Sequence, residues 1–193
     1  MQYLLISTIL MVAYLLGSIP TALIISRRTR GMDIRTMGDG NMGARNTFHQ
    51  LGPAFGVSVA IIDFAKGALP VFLAYVLNLN LGWQLLTAAV AILGHDFPLF
   101  AGFKGGQGTA TSLGTMLVLF TIPTFIGLGV YGLVFLVIRN SNIGLAIGGA
   151  VIAAFLGFTQ QWTLFAYSVS VFLFIPLKMY IDSPRRRAIH EAK

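Results

Sequence analysis

The chain has 193 residues, of which 56% are apolar and 10% are charged, whereas a soluble domain carries about 25% charged residues. The absence of cysteine excludes a disulfide scaffold, a zinc–thiolate site and a cysteine nucleophile. The formal net charge is +7, but the cations are grouped between apolar runs, which indicates membrane topology and not nucleic-acid binding. With 22 glycines and 15 phenylalanines, the composition predicts one all-α domain, residues 1–193, that forms a polytopic membrane helix bundle.

The apolar runs, taken in chain order, predict the membrane-spanning helices. The first run, Met1 to about Ser26, is long enough to cross about 30 Å of hydrocarbon. It lacks a basic start and a cleavage site, so we interpret it as a retained helix. Arginines follow this run and place its N-terminus outside. The next two runs, about 54–79 and 83–103, lead out and return to Lys104.

The run from about Thr109 to Ile138 decides the topology. Proline breaks helices because it lacks an N–H group, and Pro123 lies near the centre of this run. If the run is two short helices with a turn at Thr121–Thr124, the chain returns inside before Arg139. The runs at about 143–157 and 162–177 form a further pair. We therefore predict seven crossings, with the N-terminus out and the C-terminus in; five or six crossings are the alternatives.

The first hydrophilic stretch, Asp33–Thr47, is rich in glycine and is predicted to be cytoplasmic. Glycines permit close approach of the backbone, and successive free N–H groups can hold an anion. Arginines add positive charge, and asparagines add hydrogen-bond donors and acceptors. The competing interpretation is a flexible glycine-rich loop. The candidate residues in this stretch are Arg35, Gly38, Gly40, Asn41, Gly43, Arg45 and Asn46.

A second hydrophilic stretch has Lys104 followed by Gly105, Gly106 and Gly108, and then by the start of an apolar helix that contains Thr111. A cation, a glycine-rich turn and a helix N-terminus together suit a phosphate group. The order differs from a Walker A motif, which requires Gly-Lys-Ser/Thr after a strand. The competing interpretation is a hinge with a lysine that extends to the membrane surface.

Three further polar side chains lie in or beside the apolar runs. His95 is a candidate general base or hydrogen-bond donor at the end of the third run; a structurally hydrogen-bonded histidine is the alternative. Asp63 and Lys66 share one helix face and predict a structural pair that braces the polar loops, in preference to a catalytic pair. The turn Arg139–Asn142 is interpreted as a plain loop, with a part in the site as the alternative. No histidine or carboxylate cluster has metal-ligand spacing, so neither a metal nor a cofactor is expected.

At these residues the sequence resembles the bacterial acyl-phosphate glycerol-3-phosphate acyltransferases, the PlsY family. The family's lysine–glycine motif is matched over Leu93 to Thr111, and its Gly-Ser-Gly-Asn-x-Gly-Ala-Thr-Asn pattern is matched at six positions of Gly38 to Asn46. Tyr14 to Pro20 and the set of Asp63, Lys66, Gly67 and Pro70 match as well. The resemblance implies a membrane enzyme that transfers an acyl group from acyl phosphate to the 1-hydroxyl of glycerol 3-phosphate, giving lysophosphatidic acid.

The resemblance also implies where this chemistry takes place. The active site would face the cytoplasm at the bacterial inner membrane, with membrane lipids around the helices. Catalysis is expected from Lys104, His95 and Asn41. The expected substrate-binding residues are Gly40, Gly43, Arg45, Asn46, Gly105, Gly106, Gly108 and Thr111. An acyl phosphate is already activated, so no covalent enzyme intermediate is needed.

Several positions depart from the family pattern. Asp39 replaces a serine, Arg45 a threonine and Gln107 the second lysine of the turn, while His49 stands where arginine is usual. The C-terminal His-x-x-Asn-Ile segment is replaced by Tyr180–Pro184. These departures fall mainly on the acceptor half and leave open a divergent member with altered acceptor use. The alternative hypothesis is a non-enzymatic transporter or lipid-phosphate-binding paralogue, although transporters usually have their polar sites at the membrane midplane.

Overall fold

The computed structural model describes residues 1–191, and these consist of helices and connecting loops, which confirms the predicted all-α class. Six stretches of the described chain are long and apolar enough to cross a membrane. The helices are α1 (Gln2–Gly17), α2 (Thr21–Arg30), α3 (Ala44–Leu51), α4 (Pro53–Val76), α5 (Leu81–Asp96), α6 (Thr109–Leu119), α7 (Thr121–Ile138), α8 (Ser141–Phe158), α9 (Trp162–Ile181) and α10 (Ser183–Glu191). Short 3₁₀ turns cover Ile34–Thr36 and Leu99–Ala101.

The first apolar run is not one helix, as the sequence predicted, but two. α1 ends at Gly17 and α2 begins at Thr21, with Ser18, Ile19 and Pro20 between them. Proline cannot donate the N–H that would continue the helix, and it disfavours helical backbone in the preceding residue. At the break the carbonyl group of Ile19 accepts two hydrogen bonds, from the Thr21 N–H at 2.9 Å and from Lys66 Nζ at 2.8 Å.

The predicted break in the fourth run is present, but it is shorter than expected and lies earlier. The extended residue Phe120 alone separates α6 from α7, and Pro123 lies inside the first turn of α7, where its missing N–H costs little. The hydroxyl group of Thr124 donates to the carbonyl of Phe120 at 2.9 Å. α6 has 11 residues and α7 has 18. Of these two helices, only α6 is therefore short for a membrane span. The count of seven membrane crossings stays a prediction.

Glycines bring neighbouring helices into close contact, as is common in membrane bundles. A Cβ on Gly17 would overlap the Ala91 carbonyl of α5, and one on Gly114 would overlap the Phe64 carbonyl of α4. A Cβ on Gly67 would likewise overlap the Thr111 carbonyl. α4 and α5 are therefore packed tightly against α1 and α6, and this packing fixes the helix ends that carry the polar residues.

Contacts between distant segments bring the polar stretches to one end of the bundle. Arg45 at the start of α3 donates to Asn142 at the start of α8, with Nη1 and Oδ1 3.3 Å apart. Arg186 of α10 reaches Asp39 at 3.3 Å. Arg35 Nη1 donates to the carbonyl of Ala101 at 3.1 Å. The hydrophilic stretches therefore lie together at one end of the bundle, and their location at one membrane face stays a prediction.

Candidate active site

Asn46 holds the first hydrophilic stretch, Asp33–Thr47, in its folded shape; we call this stretch the asparagine-bearing loop. Asn46 Nδ2 donates to the carbonyl groups of Ile34, Met37 and Asn41 at 3.4, 3.1 and 3.0 Å, and its Oδ1 accepts from the N–H of Asp39 at 3.3 Å. Asn46 was predicted to lie in a loop, but it lies on the first turn of α3 and is buried. Its amide is committed to folding the loop, so we assign it a positioning role.

Asn41, in contrast, retains bonding capacity. Its side chain is 7% exposed, and its Oδ1 accepts no hydrogen bond from the described residues. Gly40 and Gly43 flank it: Gly40 has a positive φ of 70°, and Gly43 is the residue before α3. A buried polar oxygen without a partner is uncommon and calls for a ligand or water. Asn41 is therefore the member of this loop best placed to bind a substrate.

The asparagine-bearing loop also contacts the second hydrophilic stretch, which contains Lys104. Arg35 forms two side-chain hydrogen bonds with Asp33, Nε to Oδ1 at 2.9 Å and Nη2 to Oδ2 at 2.7 Å, while its Nη1 donates to Ala101. These hydrogen bonds from Arg35, helped by Arg27, hold the pKa of Asp33 well below its usual value. The same carboxylate raises the pKa of the Arg35 guanidinium. Both groups are therefore charged at neutral pH, and the ion pair holds Arg35 where its Nη1 donates to the Ala101 carbonyl of the second stretch.

Beneath the two stretches lies a buried cluster of Asp63, Lys66 and His95. Lys66 Nζ is 2.8 Å from Asp63 Oδ1 and 3.5 Å from His95 Nδ1, and His95 Nδ1 is 3.9 Å from Asp63 Oδ1. All three residues are at most 7% exposed. Asp63 and Lys66 do form the predicted pair, and this pair contacts the candidate residue His95 directly. The signal that predicted the Asp63–Lys66 pair was the spacing of three residues, which places both side chains on one helix face.

The turn from Lys104 to Gly108, here called the lysine–glycine turn, folds back over His95. The N–H of Gly106 donates to the carbonyl of His95 at 3.3 Å, and a Cβ on Gly106 would overlap His95 Nε2. Gly105 packs against the carbonyl groups of His95 and Asp96. Both glycines and Gly108 are buried. The sequence predicted that these glycines would bind phosphate through free N–H groups; in the structure they seat the turn on the end of α5.

Lys104, at the start of this turn, is exposed, and among the described residues its ammonium group has no ion-pair partner. Arg45 is exposed as well and lies against Asn142, so the Arg139–Asn142 turn reaches the site although it was interpreted as a plain loop. Thr111 is fully buried and its carbonyl faces Gly67 of α4. The two cations therefore lie at the open rim of the site, whereas Thr111 lies away from the rim.

A small cavity and an apolar groove share lining residues where α1 breaks into α2. The cavity has a volume of about 10 Å³, enough for about one water molecule, and lies between Met42 of the loop, Gly106 of the turn, Lys66 and His95. The groove has a volume of about 360 Å³. Its lining residues are Ile19, Pro20, Leu23, Ile24, Arg27 and Phe100. Ile19 and Pro20 line both spaces.

Three charged residues near the site were not identified from the sequence. Lys178 is buried within α9, and its Nζ lies 2.6 Å from Asp182 Oδ2 and 4.9 Å from the centre of the Phe97 ring. Asp96 is completely buried, and neither carboxylate oxygen has a hydrogen-bond partner in the described chain. The spacing of four residues between Lys178 and Asp182 on an apolar helix was the available signal.

Asp96 also faces the N-terminus of α6. A Cβ on Gly108, the residue before that helix, would lie 3.0 Å from Asp96 Oδ1. A helix N-terminus has free N–H groups, and here a buried carboxyl group of the protein lies beside them. The N-terminus of α6 adjoins a buried carboxyl group next to the turn, and its predicted role in holding phosphate stays a prediction.

Comparison with known proteins identifies relatives of the chain. The family described as glycerol-3-phosphate acyltransferase matches residues 7–184. Glycerol-3-phosphate acyltransferase 1 of Dehalococcoides mccartyi is 41% identical over 184 residues, which cover 90% of this chain and 87% of the relative. The glycerol-3-phosphate acyltransferase of Listeria monocytogenes is 38% identical over 189 residues, covering 95% and 93% of the two chains.

The fold has a solved counterpart as well. The crystal structure of PlsY (YgiH), an integral membrane glycerol 3-phosphate acyltransferase, in its glycerol 3-phosphate form superposes with a TM-score of 0.83 and 29% identity, covering 93% of this chain and 90% of that one. The lysophosphatidic acid form of that protein gives a TM-score of 0.80. Sequence and fold thus agree over nearly the whole chain: it belongs to the glycerol-3-phosphate acyltransferase (PlsY) family of integral membrane proteins.

Proposed function

We propose that this chain transfers a fatty acyl group from an acyl phosphate to the 1-hydroxyl of glycerol 3-phosphate, giving lysophosphatidic acid and inorganic phosphate. One observation carries the proposal: a small cavity lined by Lys66 and His95 shares Ile19 and Pro20 with an apolar groove at the α1–α2 break. A donor with an anionic head and a fatty tail has the same division of chemistry. The acyltransferase activity of the family supports the reaction type, and the acyl phosphate donor is our inference.

The reaction balances without a further reactant. The hydroxyl oxygen of the acceptor attacks the acyl carbonyl carbon and forms the ester bond. The bond between this carbon and the phosphate oxygen breaks, and the leaving phosphate takes the hydroxyl proton. Because the leaving group accepts the proton and the donor is already activated, neither a protein base nor a covalent enzyme intermediate is required. Positioning and charge stabilisation would supply most of the rate acceleration.

Each residue of the site would have a role in binding or catalysis that follows from its position. The ammonium group of Lys104 at the rim would bind phosphate, and Arg45 would bind the acceptor phosphate. Asn41 Oδ1 would accept a hydrogen bond from the acceptor, because it is buried and has no partner in the described chain. Lys66 and His95, held by Asp63, would place positive and hydrogen-bonding groups beside the reacting carbonyl. The apolar groove would take the fatty chain.

We further propose that this site faces the cytoplasm from the inner membrane of a bacterium. The support is the distribution of cations: Arg27, Arg28 and Arg30 end α2, and Arg185, Arg186 and Arg187 follow α9. Clusters of positive charge beside membrane helices favour the cytoplasmic side. Both proposed substrates are anionic, so a cationic rim would also attract them to the site.

The reaction is tested with purified protein in lipid or detergent. Phosphate release from palmitoyl phosphate, and formation of lysophosphatidic acid, should both require glycerol 3-phosphate. Palmitoyl coenzyme A in place of palmitoyl phosphate should give no product, and product from it would refute the proposed donor. A series of other polyol phosphates tests the acceptor; a better acceptor among them would replace glycerol 3-phosphate in the proposal.

The phosphate role of Lys104 has its own test. Lys104→Ala should lower kcat/KM by about 100-fold, as the loss of one charge-stabilising donor does in other enzymes. Arg28→Ala is the matched control, because Arg28 is an exposed cation on α2 outside the site, and its turnover should equal that of the parent. Unchanged turnover in a folded Lys104→Ala protein would remove this phosphate site.

A further inference from the structure

The asparagine-bearing loop contains a second carboxylate after Asp33, that of Asp39. Its Oδ1 accepts from the N–H of Asn41 at 3.1 Å, and its own N–H donates to Asn46 Oδ1 at 3.3 Å. Asp39 is therefore bonded to two of the residues that the sequence singled out. A bare negative charge at this point would repel an anionic acceptor.

The C-terminal helix α10 contacts this loop at two points. Arg186 Nη2 donates to Asp39 Oδ2 at 3.3 Å. Three residues later, the side chain of Ile189 occupies the space that a Cβ on Gly40 would fill. Residues three apart lie on one face of a helix, so a single face of α10 supplies both a cation and an apolar contact to the loop.

We propose that Arg186 is a positioning residue that determines acceptor specificity: its guanidinium neutralises Asp39, so that the loop accepts an anionic acceptor despite its own carboxylate. This inference rests on the proposed function. The ion pair is partly accessible, with 29% of each side chain exposed, so the field of an unneutralised Asp39 would reach a ligand at the loop and would be screened by salt.

The kinetic test compares anionic and neutral acceptors. Arg186→Ala should raise the KM for glycerol 3-phosphate about five- to tenfold, with kcat nearly unchanged, because a close like charge weakens binding by this order. With glycerol as the neutral acceptor, KM should stay the same. Arg187→Ala is the control, since Arg187 is the exposed neighbour of Arg186, and its kinetics should match the parent's.

A second substitution distinguishes an effect of charge on the KM from an effect of side-chain shape. Asp39→Asn in the Arg186→Ala background removes the charge that Arg186 neutralises, so it should return the KM for glycerol 3-phosphate to near the parent value. High salt should shrink the Arg186→Ala effect for the same reason. An equal rise in KM for glycerol, a failure of Asp39→Asn to repair, or an Arg186→Ala protein with parental KM would each overturn the proposal.

The ion pair also has a readout that does not depend on the reaction. In a double-mutant cycle of Asp39→Asn and Arg186→Ala, thermal unfolding in detergent should show coupling between the two sites, and additive effects would overturn the pairing. If the parent protein shows no turnover that depends on glycerol 3-phosphate, the proposed function fails. The thermal cycle still decides whether Arg186 and Asp39 are coupled.

Discussion

His95 is held on one side by the Asp63–Lys66 pair and on the other by the lysine–glycine turn. The turn touches it through the Gly106 N–H and leaves no room for a Cβ beside Nε2. Each of these contacts comes from a residue that the sequence singled out for a different reason. The position of one histidine thus links the membrane-embedded charges to the surface turn.

This geometry predicts the effect of adding one methyl group at Gly106. Gly106→Ala should displace the turn from His95 and lower kcat/KM by about 100-fold, because misplacement of catalytic groups by about 1 Å has that cost. The measurement is steady-state turnover with palmitoyl phosphate and glycerol 3-phosphate. Gly129→Ala is the matched control, because a Cβ at that position in α7 meets nothing within 4 Å. Equal activity of the two variants would mean that the fit of the turn on His95 has no catalytic role.

A pH-dependent prediction follows from the Asp33–Arg35 ion pair within the first hydrophilic stretch. The pKa of Asp33 is lowered by its hydrogen bonds with Arg35. A carboxyl group with a lowered folded-state pKa contributes stability above its unfolded pKa, about 4, and loses it as the pH falls further. Asp33→Asn should therefore lower the free energy of unfolding by about 1 kcal/mol at neutral pH, with the difference from the parent vanishing in strong acid.

The experiment is unfolding in detergent followed by circular dichroism over a pH series. Glu191→Gln serves as the control, because Glu191 is an exposed acid at the end of α10, and it should match the parent at every pH. A penalty for Asp33→Asn that is the same in acid and at neutral pH would contradict the assignment, since it would show a loss of packing and not a loss of charge.

At the scale of helices, α9 carries an ion pair into the interior. Lys178 is 1% exposed, and its Nζ is 2.6 Å from Asp182 Oδ2. Breaking a buried pair by removing one partner costs about 3–5 kcal/mol, because the other charge stays buried. Lys178→Met should therefore lower the free energy of unfolding by that amount, measured by denaturation in mixed detergent micelles.

A second substitution tests whether charge is the cause. Adding Asp182→Leu to Lys178→Met removes both charges and should recover much of the lost stability, because apolar replacements of buried pairs are often close to neutral. Arg28→Met, an exposed cation on α2, should leave stability unchanged. If the double variant is as unstable as Lys178→Met alone, the pair does not act as a unit.

The helices also show which features a sequence predicts well. The broken fourth run and the Asp63–Lys66 pair follow from local rules, namely the missing N–H of proline and the spacing of a helix face. The burial of Lys178 does not follow from such rules, because the Phe97 ring that it covers comes from a distant helix end. The glycines near Lys104 look locally like a phosphate loop, and only the fold shows His95 and Asp96 beneath them.

At the scale of the whole molecule, the number of crossings decides where each loop lies. The hydrogen bond between Arg45 and Asn142 places the starts of α3 and α8 at the same end of the bundle. Between these points the chain passes through α4, α5, α6 and α7, and four passages return it to the end from which it started. If α6, with only 11 residues, did not cross, Asn142 would lie at the opposite membrane face from Arg45.

The absence of cysteine makes this topology directly testable with single-cysteine variants and a membrane-impermeant maleimide applied to intact cells. Seven crossings predict that Gln161→Cys is labelled from outside and that Asn140→Cys is protected; six crossings without α6 predict the reverse. Arg28→Cys and Asn78→Cys precede α6 and serve as inside and outside references under both counts. Labelling of Asn140→Cys together with protection of Gln161→Cys would separate Asn142 from Arg45 across the bilayer, so the rim of the proposed site would lose its third polar turn.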